Sequence, residues 1–502
     1  MSKLRPVVVL MLLTLLAAAV ASGQSFRVQC PTSTRFHSST SGNPGDIKCQ
    51  QISGGDGYAT MADGTQTYLF AFGPLSGLND IAKGLPGTQP ASVFLTPYDP
   101  NAASGSVASN GAVGLMPDPD ASGALTGHVD PRQIMDVGVM NGNLPAPMMA
   151  IDEDDEFFLT LTNVGMIMRP DLFEQHTVHF HGYPNASAFY DGVPDASVAI
   201  NIGGSFTYYY LAPDAGTYFW HCHITPPEHL QMGMVGQLYV RPRQNRLPSG
   251  ASLYAGLQAQ QTDPRTRSDC INDILCTSPL PPSNSSSRAA KGLYAYNDGD
   301  GSTRYDVEYP IQIHGFDPNF HFVGMTFNPE GFADMKDKYF LLNGRSYPDT
   351  INASGYRDSA AAAGNSDFVG APHASNSFYT QDADGVQRPS QPLPTVINIP
   401  AGGRALLRIS DLDVSEYQTL ASLGIPMQVI AINARLLRDQ SGNNLYYTTN
   451  SITLAGGESI DVILDATGYK SGQTFYLYTP NLDHLSNDAE NFGGLMTEIH
   501  IQ

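Results

Sequence analysis

The sequence predicts an all-β protein built as two β-sandwich halves joined by a loop-rich linker. Three observations predict it. Short runs rich in β-branched and aromatic residues recur with turn residues between them, the pattern of antiparallel sandwiches. Gly 49 and Pro 36 in 502 residues supply many turns and leave little room for long helices. The two halves also end alike. The first reads Gly203-Gly-Ser, then Gly216-Thr-Tyr-Phe-Trp, then Met232-Gly-Met-Val-Gly-Gln-Leu-Tyr-Val. The second reads Gly456-Gly-Glu-Ser, then Gly472-Gln-Thr-Phe-Tyr-Leu-Tyr, then Gly493-Gly-Leu-Met-Thr-Glu-Ile-His-Ile. Matching Thr217 to Thr474 puts Thr479 where Cys222 stands, so the repeat is a fold unit.

The elements follow in chain order. Lys3 and Arg5 precede an apolar run from Val7 to Val20, and Ala19-Val20-Ala21 fits a signal-peptidase site. Residues 1–21 read as a cleaved secretory signal, which places the mature chain in the periplasm or outside the cell. The run is short for a membrane span, and no second one follows. Residues 22–245 form the first domain. Within it 24–60 read as a polar, loop-rich extension, structure begins near Thr67-Tyr-Leu-Phe-Ala-Phe, and 85–130 read as an insertion. Its strands include Glu156-Phe-Phe-Leu-Thr-Leu-Thr, Ser205-Phe-Thr-Tyr-Tyr-Tyr-Leu and Val235-Gly-Gln-Leu-Tyr-Val. Residues 246–300 read as a Ser/Pro/Arg-rich linker. Residues 301–502 form the second domain, with Lys338-Tyr-Phe-Leu-Leu-Asn-Gly, Ala405-Leu-Leu-Arg-Ile and Ile460-Asp-Val-Ile-Leu among its strands.

Charge narrows the function. Lys+Arg 26 against Asp+Glu 47 gives a formal net charge of −21, which argues against nucleic-acid binding and against docking on anionic lipid. Five cysteines suit an oxidising compartment. Cys30 with Cys49, and Cys270 with Cys276, bracket short loops and are candidate local disulfides. Cys222 is left over.

Its neighbours explain it. Six of the 13 histidines lie in two segments, His176-Thr-Val-His179-Phe-His181-Gly and Trp220-His221-Cys222-His223-Ile-Thr-Pro-Pro-Glu-His229-Leu-Gln-Met-Gly-Met234. Side chains alternate faces along a strand. Pairing the two segments puts His176 with Cys222 on one side and His179, His181, His221 and His223 on the other. His176, Cys222, His229 and Met234 offer two imidazoles, a thiolate and a weak thioether, a donor set that suits a blue copper centre. Zinc more often shows several cysteines at close spacing. The four-histidine set suits copper too, with a structural zinc as the alternative, and the histidines flanking Cys222 give a through-bond route between the sites.

The segment His176–Met234 resembles the multicopper oxidases, among them laccases, bilirubin oxidase and ceruloplasmin-like ferroxidases. Tyr190-Asp191-Gly-Val-Pro and Ile202-Gly-Gly-Ser-Phe-Thr-Tyr add to the likeness, and Asn343-Gly-Arg-Ser-Tyr-Pro-Asp-Thr looks like the opening of a copper-free domain. The resemblance implies two cupredoxin-like, plastocyanin-type Greek-key domains. It implies type 1 copper on His176, Cys222, His229 and Met234, and type 2 and type 3 copper on His179, His181, His221 and His223. Asp191 matches a residue implicated in proton delivery. The implied reaction takes single electrons from a phenolic or metal-ion reductant and reduces dioxygen to water. Three departures stand out. The loop from Cys222 to His229 is two residues longer than in common laccases. The blue site lies in the first domain. The family's three-copper cluster takes eight histidines from two domains, and only four are in place here; His314, His321, His373 and His484 are scattered. A homo-oligomer or a partner chain would have to complete the inner site. A copper nitrite reductase with type 1 plus type 2 copper, and a non-catalytic blue-copper electron carrier, are the alternatives.

Overall fold

The computed structural model describes residues 27–38, 45–61, 66–103, 105–116, 127–183, 187–212, 214–262, 276–290, 293–321, 331–351, 379–381, 387–389, 393 and 395–502 without 489 and 492–493. The signal segment, Cys270, His373 and Gly493 lie outside the described residues.

The first half holds β1 (Ile47–Thr60), β2 (Gln66–Pro74), β3 (Met149–Asp152), β4 (Glu156–Gly165), β5 (His179–His181), β6 (Ser205–Leu211), β7 (Gly216–His221) and β8 (Val235–Arg241). One sheet runs β2-β1-β4-β6, with the short strand Gln89–Pro90 beside β1, and the other runs β3-β8-β7-β5. Alternation builds the core between them. Phe157, Leu159 and Leu161 of β4 and Tyr208 and Tyr210 of β6 meet Trp220 of β7 and Leu238 and Val240 of β8. Trp220 sits opposite Gly236, where a Cβ would come within 2.5 Å of its ring, so only glycine fits there.

The second half holds β9 (Val307–Phe316), β10 (Tyr339–Leu342), β11 (Ile397–Ile399), β12 (Arg404–Asp411), β13 (Gln418–Leu423), β14 (Met427–Ile432), β15 (Ser451–Leu454), β16 (Ser459–Asp465), β17 (Thr474–Tyr478) and β18 (Met496–Ile501). Its sheets run β10-β9-β12-β16-β14, extended by two short strands, and β11-β18-β17-β13-β15. The pairing repeats the first half. β1 is antiparallel to β2 and parallel to β4, as β9 is to β10 and β12. β8 is parallel to β3 and antiparallel to β7, as β18 is to β11 and β17.

Two expectations change. The predicted loop-rich stretch at 24–60 contains the longest strand among the described residues, the 14-residue β1. Its Gln50, Gln51, Ser53 and Asp56 are all buried, which disguises it as loop. The insertion covers one side of it with a satellite core of Phe94, Val113, Leu115 and Val129, joined by Ile134 and Val137 of α1 (Pro131–Gly138). Asp130 caps α1 by accepting from the Arg132 N–H, with Pro131 in its first turn. The stretch expected as linker also carries structure: after α2 (Pro226–Gln231), α3 spans Leu253–Gln261, and Ala295 and Tyr296 are buried against Leu406, Ile430 and Ile463 of the second half. Cys30 and Cys49 form the expected disulfide, Cys276 is disulfide-bonded, and Cys222 is a buried free thiol.

The halves lock together through a buried polar interface. Glu308 lies between Arg241 at 2.6 Å and Arg408 at 3.0 Å, and the Arg408 guanidinium stacks over Tyr239. Thr217 donates to Asp461 at 2.6 Å, and Gln237 donates to the Arg408 carbonyl and to Ser410. Burial alone would raise the Glu308 pKa. The two guanidiniums outweigh it and bring the pKa down to about 2. Among the described residues no helix is long and apolar enough to cross a membrane.

Candidate metal centres

β7 carries both candidate sites. Its last residue, His221, pairs with His179 of β5, and His181 pairs with Phe219. The strand pleat then puts Cys222 on the core face and its flanking histidines on the other. The structure brings His176, Cys222 and His229 together on one face and His179, His181 and His221 on the other.

On the core face, His176, Cys222 and His229 bring one ligand atom each to within 4.8 Å of one another, all three fully buried. The His229 Nδ1 is 3.2 Å from the Cys222 Sγ, and the Thr177 backbone N–H donates to that sulfur at 3.4 Å. Both His176 nitrogens are buried with no hydrogen-bond partner. A buried imidazole left with two orphan nitrogens is costly unless a ligand completes it. Met234 is fully buried in the same cluster, and its carbonyl accepts from the Cys222 N–H at 3.0 Å. A Cβ on Gly54 would meet both His176 Cδ2, at 2.8 Å, and Met234 Cε, at 3.3 Å, so the thioether end lies beside the imidazole. Phe70 packs edge-on against the His229 ring with centroids 5.1 Å apart. The long Cys222–His229 loop is a helical turn. Thr225 takes a left-handed conformation at φ 37°, and α2 then presents His229.

Electrostatics there favour a thiolate. Burial raises the Cys222 pKa, but His229 and His176 outweigh it and hold the thiol well below its usual range. Burial likewise opposes a charge on His229, yet the Cys222 sulfur and Glu174 carry its pKa up to about 9. Burial lowers the His176 pKa, keeping that imidazole neutral as a ligand must be. Sequence reasoning missed Glu174, whose carboxylate lies 3.6 Å from His229 Nε2. It also missed Gly54. Parity with His176, two residues on, is too weak a signal by itself to single out Glu174.

On the opposite face, His179, His181 and His221 form a second cluster, with one nitrogen of each within 4.8 Å of the others. The His223 ring joins them, 5.1 Å from His179 and 5.5 Å from His221. Two of the rings are held by their Nδ1–H groups. His179 donates to the Asp191 carbonyl at 2.6 Å, and His221 donates to the Cys222 carbonyl at 2.7 Å, which leaves each Nε2 for a ligand. Burial lowers the pKa of His179 and His181 and brings that of His221 to about 3, which favours the neutral form of these three rings. The Asp191 carboxylate lies 3.5 Å from His179 Nδ1. Three of the scattered histidines are described, and they lie elsewhere: His314 and His321 are buried around Phe316, and His484 sits under Phe340.

Comparison with known proteins agrees with this geometry. The multicopper oxidase family model matches residues 126–245. A laccase from Aspergillus fumigatus, abr2, is 34% identical over 109 residues, 21% of this chain and 17% of the laccase. A copper-containing nitrite reductase from Neorhizobium galegae is 34% identical over 106 residues, 20% of this chain and 25% of the reductase. The chain thus spans at most a quarter of the length of either relative. In three dimensions the blue copper oxidase from Nitrosomonas europaea aligns with 91% of this chain and 86% of its own, at a TM-score of 0.50 and 17% identity, a likeness of fold. Residues 126–245 thus match the multicopper oxidase family model, and the all-β fold around them is like that of a blue copper oxidase.

Proposed function

We propose that this protein is a secreted copper-dependent oxidase, with His176, Cys222, His229 and Met234 holding type 1 copper and His179, His181, His221 and His223 holding an inner type 2/type 3 site. The observation that carries it is the back-to-back arrangement, in which Cys222 faces one cluster while His221 and His223, bonded to it on either side, face the other. The orphaned nitrogens of buried His176 beside a thiolate-poised Cys222 fit a soft metal with mixed imidazole and thiolate ligands. Copper bound there would supply one-electron chemistry, taking electrons from a phenolic or metal-ion reductant and delivering them to dioxygen at the inner site.

The chain's own residues do the rest. Buried Phe70, Phe180 and Trp220 keep water from the Cys222 sulfur. The backbone from Cys222 to His221 and His223 is a short covalent path between the two ligand sets. Glu174, partly exposed, holds negative charge 3.6 Å from His229 Nε2, where a reductant can approach. Asp191 orients His179 through its carbonyl, and its carboxylate, 3.5 Å from His179 Nδ1, would be the proton donor to the inner site. Four histidines make half of a three-copper ligand set, so a second copy of this chain or a partner chain completes it. The domain limits that go with this reading are a signal at 1–21, a copper domain at 22–245, a linker at 246–300 and a copper-free domain at 301–502.

One observation favours a second reading. The similarity to nitrite reductases, together with an inner cluster of four histidines among the described residues, suits an enzyme with type 1 plus a single type 2 copper. Electron paramagnetic resonance of the oxidised, copper-loaded protein separates the two. Copper in excess of spins is expected for the oxidase, from a coupled type 3 pair. Spins equal to copper with both signal types would move the assignment to the reductase. A type 1 signal alone would leave an electron carrier.

A further inference from the structure

The backbone bonds that build the first site recur, one for one, in the second half. Cys222 N–H donates to the Met234 carbonyl at 3.0 Å, and Thr479 N–H to that of Leu495 at 2.9 Å. Met234 N–H donates to His229 at 2.8 Å, and Leu495 N–H to His484 at 2.9 Å. His176 pairs with Ile200, three residues before Gly203, and Gln418 pairs with Leu454, three residues before Gly457. Gly203 N–H and Gly457 N–H in turn donate to the matching Asn163 and Asp411 carbonyls, both at 2.9 Å. Phe70 faces Asp56 across β1 and β2 at the place where Phe340 faces Gly315 across β9 and β10. The four ligand positions His176, Cys222, His229 and Met234 therefore correspond to Gln418, Thr479, His484 and Leu495.

The surroundings persist beyond the ligands. Phe340 stacks on the His484 ring at 3.9 Å, in the place of Phe70 on His229. Glu416, two residues before Gln418, binds His484 Nε2 at 2.8 Å, as Glu174, two before His176, approaches His229 Nε2. His484 Nδ1, whose counterpart in His229 points at the Cys222 sulfur, instead meets the Gln418 Oε1 at 2.9 Å. Gln418, Thr479, His484 and Leu495 are all buried. An imidazole in such a place is costly to bury if its N–H finds no acceptor, and the Gln418 amide oxygen supplies one.

We propose that the second half is a type 1 copper pocket in which a His484–Gln418 hydrogen bond stands where a metal would, and that Gln418→His with Thr479→Cys turns it into a copper site. The proposal rests on the reading of the first half as a type 1 centre. In the native chain the second pocket takes no metal, because a lone imidazole engaged by an amide lacks the thiolate. Two substitutions suffice, since the axial ligand of such a centre is weak and long, and Leu495 can stay. The glutamine hydrogen bond is removed by the same change that adds the imidazole. The loop from Thr479 to His484 is two residues shorter than that from Cys222 to His229, and the backbone bonds above show that it still presents the histidine in the same register.

The experiment is copper loading of three full-length proteins, the native chain, Gln418→His/Thr479→Cys and Thr479→Cys, read by blue absorption and by type 1 spins per chain. The native chain gives one type 1 spin, and the double variant gives roughly a twofold gain in both signals. A double variant that unfolds like the native protein yet shows only the native signal overturns the proposal. A native chain with no type 1 spin overturns instead the reading of the first half. Should the double variant not fold, cobalt(II) added to copper-loaded Thr479→Cys decides. The proposal requires a near-ultraviolet thiolate-to-cobalt band that the copper-loaded native chain lacks, and a folded single variant without that band refutes it.

Discussion

The two halves share a backbone and differ in what they put inside it. On the inner face, His179 and His221 are cross-strand partners in the first half, and Ala421 and Tyr478 are partners at the equivalent place. His181 likewise corresponds to Leu423, paired with Tyr476 where His181 pairs with Phe219. On the core face, Cys222 gives way to Thr479. The second half reaches the same register without any of these ligands, so the fold does not depend on them. The candidate ligands are cargo that one copy carries and the other, His484 apart, does without.

The largest test of that comparison is Cys222→Ser. It should abolish the blue absorption completely. The fold should survive it, at a cost of about 1–2 kcal/mol, because the second half accommodates a hydroxyl side chain at this position. Absorption spectra and urea unfolding read the two effects separately. A variant that stayed blue and active would end the type 1 assignment.

The inner face can be converted in the same spirit. His179→Ala with His181→Leu gives the first half the residues of Ala421 and Leu423. The expected result is complete loss of the non-blue copper with the blue band kept, measured by metal analysis and spectroscopy. Loss of both bands would mean that the two faces are one cooperative site rather than two.

The interface between the halves should respond to pH. Glu308 has a folded pKa of about 2, below the ordinary glutamate value of about 4.3. A depressed carboxylate stabilises the fold above its unfolded pKa, and that contribution is lost as pH falls through the window from about 4.3 to about 2. Glu308→Gln leaves Arg241 and the fully buried Arg408 without their counter-charge. It should cost about 3–5 kcal/mol at neutral pH and flatten the acid limb of the stability curve in that window. Urea unfolding across pH measures both, and an unchanged acid limb would show that another carboxylate sets it.

Much of this was legible in the sequence because chemistry-bearing residues are rare and strand parity is strict. The two faces of the Cys222 strand, the Cys30–Cys49 bridge and the Thr217–Thr474 repeat all follow from period-2 alternation and spacing. Strand β1 was hidden for a physical reason. Its buried Gln50, Gln51, Ser53 and Asp56 read as solvent-facing, yet they are covered by the insertion on one side and the core on the other. Sequence patterns assign polarity to exposure, and a central strand under an inserted layer breaks that link. Glu174 was missed because a carboxylate two residues from a ligand gives no pattern until the matching Glu416-Tyr-Gln418 of the other half is placed beside Glu174-Gln-His176 by the hydrogen-bond register.

The finest difference between the halves lies at Gly54. Gly54 pairs with Phe72 and Asn163, and Ile313 pairs at the equivalent place with Leu342 and Asp411. The second half fills this position with a buried branched side chain because no ligand competes for the room. In the first half a Cβ would stand 2.8 Å from His176 Cδ2, too close for the ring to stay put, whereas the 3.3 Å contact with Met234 Cε is eased by a flexible thioether. Gly54→Ala should therefore push the imidazole before anything else moves. Stability should fall by about 1–3 kcal/mol, the usual range for overpacking. The blue band should shift in position and intensity without vanishing. Ile313→Ala is the control, expected to weaken the second half while leaving the colour untouched. Were the two variants to have the same spectroscopic effect, or Gly54→Ala none, the idea that glycine at 54 keeps space for the His176 ring would fail, and the difference from Ile313 would reduce to ordinary core packing.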